Sequence, residues 1–239
     1  MDTHHHAPLD RRRLLRGASV LGLGATGLGL FPSTTSGNAS ALRTPASLLA
    51  GSCTLTPGQI QGPYYRDLNL VRRDITEGLP GIPMHLHIRV LDVDACTPLV
   101  GAEVDVWHTN APGHYSNFPV KGTEGETWMR GVQFTDADGV ATFHTVYPGW
   151  YTGRTAHLHV KVYPQTAWML TTQLYLSDLL SDLVYRLPPY SAHGPRNTRN
   201  AQDTYYRPDL QLATQLALAM PGAGFLLVNA GITLVVNRP

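Results

Sequence analysis

The run Pro148-Gly149-Trp150-Tyr151-Thr152-Gly153-Arg154-Thr155-Ala156-His157-Leu158-His159 places a tyrosine, an arginine and two histidines at short spacing. A Pro-Gly turn delivers Tyr151, and a His-x-His pair then opens the apolar run Val160-Lys161-Val162. On an extended strand, alternate side chains share a face. His157 and His159 therefore project side by side, about 7 Å apart, and can converge on one metal ion. Tyr151 can add a phenolate, and Arg154 sets a fixed positive charge beside the group. A bare His-x-His is equally the polar face of a strand. The chain contains such a pair in His85-Leu86-His87, with no turn-borne tyrosine before it and no arginine just upstream. Context, not the pair itself, separates the two.

The elements that must position these residues read as short strands. Met84 to Val93 and Ala102 to His108 alternate apolar and polar residues. Gly131 to Thr135 and Val140 to Val146 flank Asp136-Ala137-Asp138-Gly139, a hairpin turn. The Asp-x-Asp-Gly spacing also resembles the start of a calcium loop, but Val and Phe follow where oxygen ligands belong, so a plain turn is expected. His157 to Tyr163, Leu170 to Leu176 and Gly224 to Val236 complete the set, the last as one or two strands. Helices are expected at Leu176 to Tyr185 and Pro208 to Met220. Two Pro and two Gly exclude a helix from Thr54 to Tyr65. Many short strands separated by turns predict an all-β, antiparallel β-sandwich or barrel.

The chain has 239 residues, of which 15% are charged, and a net charge of +1. This composition fits a turn-rich globular domain and carries no nucleic-acid footprint. Residues 1–45 read as a leader and linker, and 46–239 as the β-sandwich domain. The leader has Arg11-Arg12-Arg13-Leu14-Leu15-Arg16, then a weakly apolar Gly17 to Phe31 too short and glycine-rich to span a bilayer well. That is the pattern of a twin-arginine signal, so export to the periplasm or beyond is expected, with no stable membrane insertion. Removing the leader leaves 13 basic and 15 acidic residues. The two cysteines, Cys53 and Cys96, form an even set in an exported chain and are expected to pair.

A second tyrosine motif precedes the first: Gly113-His114-Tyr115-Ser116, at the end of the loop that follows the Trp107 strand. The ordered series G-x-Y-S, P-G-x-Y and R-x-x-H-x-H resembles the intradiol ring-cleavage dioxygenases, in their secreted single-domain branch. The resemblance runs from about Leu55 to Tyr163 and thins out to Tyr206. It implies a prealbumin-like sandwich and a non-haem Fe(III) cofactor held by Tyr115, Tyr151, His157 and His159. Phenolates are hard donors that favour Fe(III) over Fe(II), and neutral imidazoles complete the set. The implied reaction cleaves a catecholic ring, of the catechol or protocatechuate type, between its hydroxylated carbons with O2 to a muconate-type diacid. Tyr151 would also take substrate protons. Arg154 would stabilise negative charge developing on the ring. Gln173 matches a family position near the substrate, and Tyr64 and Tyr65 are candidates for the mouth of the pocket.

Other readings stay open at this level. Pro98-Leu99-Val100-Gly101-Ala102 and the Pro-Gly-x-Tyr turn also fit a secreted prealbumin-like binding module without catalysis. The four donors could alternatively hold zinc or copper. A sandwich fold does not decide among these.

Overall fold

Period-two alternation sets the architecture, and it is clearest in the strand that carries the histidine pair. In the computed structural model, which describes residues 53–163, 170–218 and 226–237, eight strands form. They are β1 (Pro83–Asp92), β2 (Glu103–Trp107), β3 (Arg130–Phe134), β4 (Val140–Val146), β5 (His157–Tyr163), β6 (Leu170–Tyr175), β7 (Ala213–Leu218) and β8 (Leu226–Val236). They pair as two four-stranded sheets, β4-β1-β8-β7 and β3-β2-β5-β6. The fold is a β-sandwich, as the turn spacing predicts. Leu158, Val160 and Val162 of β5 point inward and join Leu86, Ile88, Val104, Val106 and Leu174 in the common core. Their neighbours His157, His159 and Lys161 therefore face outward, yet all are buried. The lead-in segment runs alongside that face: Gln59 N donates to Thr171 O (2.8 Å), and Gln173 Nε2 to Ile60 O (3.0 Å).

Three expectations need correction. The helix expected at Pro208 to Met220 is replaced, over its described part, by a single short 3-10 turn at Pro208–Leu210 and strand β7 at Ala213–Leu218; residues 219 and 220 lie outside the described residues. Residues 210, 212 and 216 are apolar at even spacing, which a strand satisfies as well as a helix does, and β8 offers an edge to pair with. The helix at Leu176 to Tyr185 is shorter, α1 (Asp178–Val184), capped where Ser177 Oγ accepts from Leu180 N. The sandwich is also not wholly antiparallel, because β1 and β8 pair in parallel. Most of the described chain lies between those two strands, so no hairpin dictates their direction.

Cys53 and Cys96 are bonded, tying the lead-in segment to the turn after β1. The Asp136 to Gly139 segment is a plain turn: Asp136 Oδ1 accepts from Asp138 N and Val140 N, at 3.0 and 2.9 Å. Residues 1–45, with the expected twin-arginine leader, lie outside the described residues.

Candidate metal centre

The outward row of the second sheet builds the floor of the site. Cross-strand register aligns Arg130 with Trp107, Trp107 with His159, and His159 with Gln173. Directly opposed residues of an antiparallel pair share a face, so these four side chains form one line across β3, β2, β5 and β6. His157 lies two residues along β5, opposite Tyr175. The Trp107 indole stacks on the His159 ring (4.9 Å between centroids, 8° between planes) and fixes its plane.

Two loops lower the tyrosines onto this row. The loop after β2 carries Tyr115 and the loop after β4 carries Tyr151, and the two are joined by one backbone hydrogen bond and one from a side chain. Gly149 N donates to Asn110 O (3.0 Å), and Thr109 Oγ1 to Gly149 O (2.7 Å). A Cβ on Gly149 would lie 2.2 Å from Ala111 O, and one on Gly113 would lie 2.1 Å from Trp150 O. Both motif glycines are thus required by close approach, and Gly113 also by its φ of +81°. Ser116 closes the first loop: its Oγ donates to Trp128 O (2.8 Å) and accepts from Arg130 Nε (2.8 Å).

The result is a cluster of donors. Tyr115 Oη lies 3.1 Å from His159 Nε2 and 3.4 Å from His157 Nε2, and Tyr151 Oη lies 3.3 Å from His157 Nε2. His157 Nδ1 is 2.7 Å from Thr155 O. A carbonyl only accepts, so the ring hydrogen sits on Nδ1 and the Nε2 lone pair faces the phenols. Burial lowers the proton affinity of His157 to a pKa of about 3 and that of His159 well below the ordinary range. Both imidazoles are neutral and able to bind a metal. Burial raises Tyr115 well above the ordinary phenol range, with Tyr151 adding to it, and burial also raises Tyr151 against the pull of Arg154. Both phenols are therefore held protonated near neutral pH, and only a bound cation would draw off their protons. Among the described residues no group of three or more His, Cys, Asp and Glu is placed to hold a metal. The tyrosines are integral to any metal set here. Two hard anionic oxygens and two neutral imidazoles fit a ferric ion.

Arg154 overlooks the cluster. Its guanidinium reaches Tyr151 Oη (3.3 Å) and Gln173 Oε1, while its Nε donates to Asp203 Oδ2 (2.8 Å). The same Asp203 oxygen accepts from Thr155 N (2.9 Å), and Asp203 Oδ1 accepts from Tyr205 N (2.9 Å). A pocket of about 310 Å³ opens beside the cluster, lined by Tyr64, His114, Tyr115, Lys121, Trp150, Tyr151 and His193, among others; His157, His159, Arg154 and Gln173 are not part of its wall. Tyr64 stacks on Tyr115 at 4.4 Å and 10°. Tyr65 turns away instead, against Trp107 and Lys161. His108 faces away as well, donating from Nδ1 to Thr109 O and accepting at Nε2 from Thr145 Oγ1, each at 2.8 Å. The His85 and His87 pair sits on the other sheet, where His85 stacks on His144 at 4.4 Å.

A family model described as Dioxygenase matches residues 60–185. That span is just over half of the chain and holds Tyr64, both tyrosine loops, the histidine pair, Arg154 and Gln173. The chain belongs to the intradiol ring-cleavage dioxygenases. Catechol 1,2-dioxygenase 1 of Acinetobacter lwoffii is 32% identical over 49% of this chain and 45% of its own length. Chlorocatechol 1,2-dioxygenase of Rhodococcus opacus is 28% identical over 54% and 59%. This family member therefore spans about half the length of the curated relatives it matches. Among solved structures, an intradiol ring-cleavage dioxygenase from Tetranychus urticae superposes with a TM-score of 0.69 at 25% identity, covering 77% of this chain and 95% of that one. The dioxygenase domain of a carbohydrate-binding fusion from Streptomyces sp. SirexAA-E gives 0.57 at 31% identity, covering 78% and 100%.

Sequence reasoning missed three residues that shape this dioxygenase site. Trp107 has even spacing from Asp105 on β2, which places it on the outward face opposite His159. Arg130 carries no local signal. Asp203 lies 49 residues beyond Arg154 and outside the matched family span.

Proposed function

We propose that this chain is a non-haem Fe(III) intradiol dioxygenase that opens catecholic rings between the two hydroxylated carbons and works after twin-arginine export. One observation carries the reading: two phenol oxygens and two neutral imidazole nitrogens meet beside an arginine, and both tyrosines line a small pocket. Tyr115, Tyr151, His157 and His159 would hold the iron. When bound, Fe(III) withdraws electron density from a catecholate and makes its ring reactive toward O2. The relatives named above as catechol and chlorocatechol dioxygenases support this substrate class. Export is supported by Arg11-Arg12-Arg13 with its apolar sequel, and by a disulfide suited to an oxidising compartment.

The protein's own groups have distinct roles. Thr155 O fixes the His157 tautomer, and the Trp107 indole fixes the His159 plane. Tyr151 is the less buried phenol and adjoins Arg154, so its oxygen is the one suited to take a substrate proton. The Arg154 guanidinium, 3.3 Å from that oxygen, would stabilise negative charge there and on the ring. Tyr64 and Trp150 wall the ring and restrict water. Both oxygen atoms of O2 enter the product as one carbon–carbon bond breaks, giving a diacid. Iron-loaded protein should consume one O2 per catechol and yield the muconate-type diacid. Ring cleavage next to a hydroxylated carbon pair rather than within it, or no O2 uptake, would contradict the reading.

A further inference from the structure

The edge of a sheet presents a row of backbone N–H and C=O groups, which a protein covers, guards or pairs. The two sheets have four edges, and three are covered by the chain itself. Along β3, Arg72 N donates to Val132 O (3.1 Å) and Val132 N to Leu70 O (2.8 Å). Along β4, His144 N donates to Arg73 O (2.8 Å) and Ile75 N to His144 O (3.0 Å). Along β6, Gln59 N donates to Thr171 O (2.8 Å) and Leu212 N to Tyr175 O (2.8 Å). The fourth edge is β7. On one side its residues pair with β8 in unbroken register. Among the described residues, no backbone group bonds to its other side.

That edge is also unguarded. Open edges in natural proteins carry a charge, a proline or a bulge that repels a second strand. β7 reads Ala213-Thr214-Gln215-Leu216-Ala217-Leu218, with none of the three, and β8 behind it holds no charged residue either. Leu216 stands opposite Val228, a residue of the common core, so it points to the core side of its sheet. Its place at the margin of the sandwich nevertheless leaves it 48% exposed. We infer that β7 is an interface for a second copy of this chain, pairing antiparallel with the partner's β7 about a two-fold axis. An isologous contact needs a strand complementary to itself, and this one qualifies. With the axis beside Leu216, that side chain meets the partner's Leu216, and Gln215 meets the partner's Ala217. No like charges face each other, whereas a charged partner would find nothing to pair with. The two four-stranded sheets then run on as one, and each Leu216 is covered. The candidate metal centre lies on the other sheet, so both copies keep their pocket open.

The test is sedimentation equilibrium of the full chain over about a hundredfold range of concentration, with hydrogen exchange of the β7 amides followed alongside. The wild-type chain should pass from monomer to dimer, and the β7 amides should exchange at least about tenfold more slowly in the dimer. Leu216→Lys sets two ammonium groups face to face across the axis and should weaken the dimer at least about tenfold. Leu216 is already half exposed, so the variant should keep the circular dichroism and urea midpoint of the wild-type monomer. A wild-type chain that stays monomeric throughout would overturn the inference. So would a dimer whose β7 amides exchange as fast as those of the monomer, or one that Leu216→Lys leaves intact.

Discussion

Asp203 is the residue on which the poise of Arg154 depends. A guanidinium has five donors on a long stem, and its position over a ring must be fixed by something rigid. Here the anchor is a carboxylate with no side-chain exposure, itself held by Thr155 N and Tyr205 N. A charge-assisted bond of this kind is worth about 1.5–3 kcal/mol, or about 10–100-fold. We expect Asp203→Asn to lower kcat by that factor while iron content stays near that of the wild type, because none of the four proposed ligands touches Asp203. Unchanged kcat, or a loss of iron matching the loss of rate, would show that Asp203 does not act through Arg154. Nothing near Arg154 in sequence announces this partner. The histidine pair and both tyrosine turns were legible because each motif is local, whereas Asp203 reaches Arg154 only through tertiary packing.

At the scale of elements, the site is two loops pressed onto one strand row. The loops bearing Tyr115 and Tyr151 share a backbone hydrogen bond and one from the Thr109 hydroxyl, and leave no space for a side chain at Gly149 or Gly113. Gly149→Ala would drive a methyl into the Ala111 and Asn110 carbonyls, so the loops must part. The expected cost is about 2 kcal/mol or more, with the tyrosines displaced together. Chemical denaturation and iron retention should both fall. A variant with native stability and full iron retention would refute the stitched-loop account. Strands β1 and β2 followed from alternation, which works where one face meets the core, and β3 and β4 from the Asp-Gly turn between them. β7 did not, since its even-spaced apolar residues fit two periodicities and only the open edge of β8 decides between them. The parallel β1–β8 pairing joins segments far apart in sequence and leaves no local trace.

For the whole molecule, buried neutral histidines make stability depend on pH. Burial holds His108 at a pKa of about 4, against an ordinary 6.5. Between these values the unfolded chain binds a proton that the folded one does not, so stability rises with pH across that window and is lost on acidification. Asp105 acts the opposite way. Burial pushes its carboxyl up to about 6, so between 3.8 and 6 the folded state holds the extra proton. His108→Gln isolates the histidine contribution. Between pH 7 and pH 5 the variant should lose about 2 kcal/mol less stability than the wild-type chain in metal-free urea titrations. Equal losses would mean that His108 binds its proton equally well in the folded and unfolded chain.

The central claim is that Tyr115, Tyr151, His157 and His159 together bind ferric iron with room left for a catechol. The visible absorption spectrum of iron-loaded protein, recorded before and after anaerobic addition of catechol, tests it most directly. The account predicts a broad tyrosinate-to-Fe(III) band that moves to longer wavelength with catechol and is weakened or lost in Tyr115→Phe. A colourless protein that takes up no iron on reconstitution, or a band indifferent to both catechol and Tyr115→Phe, would contradict it.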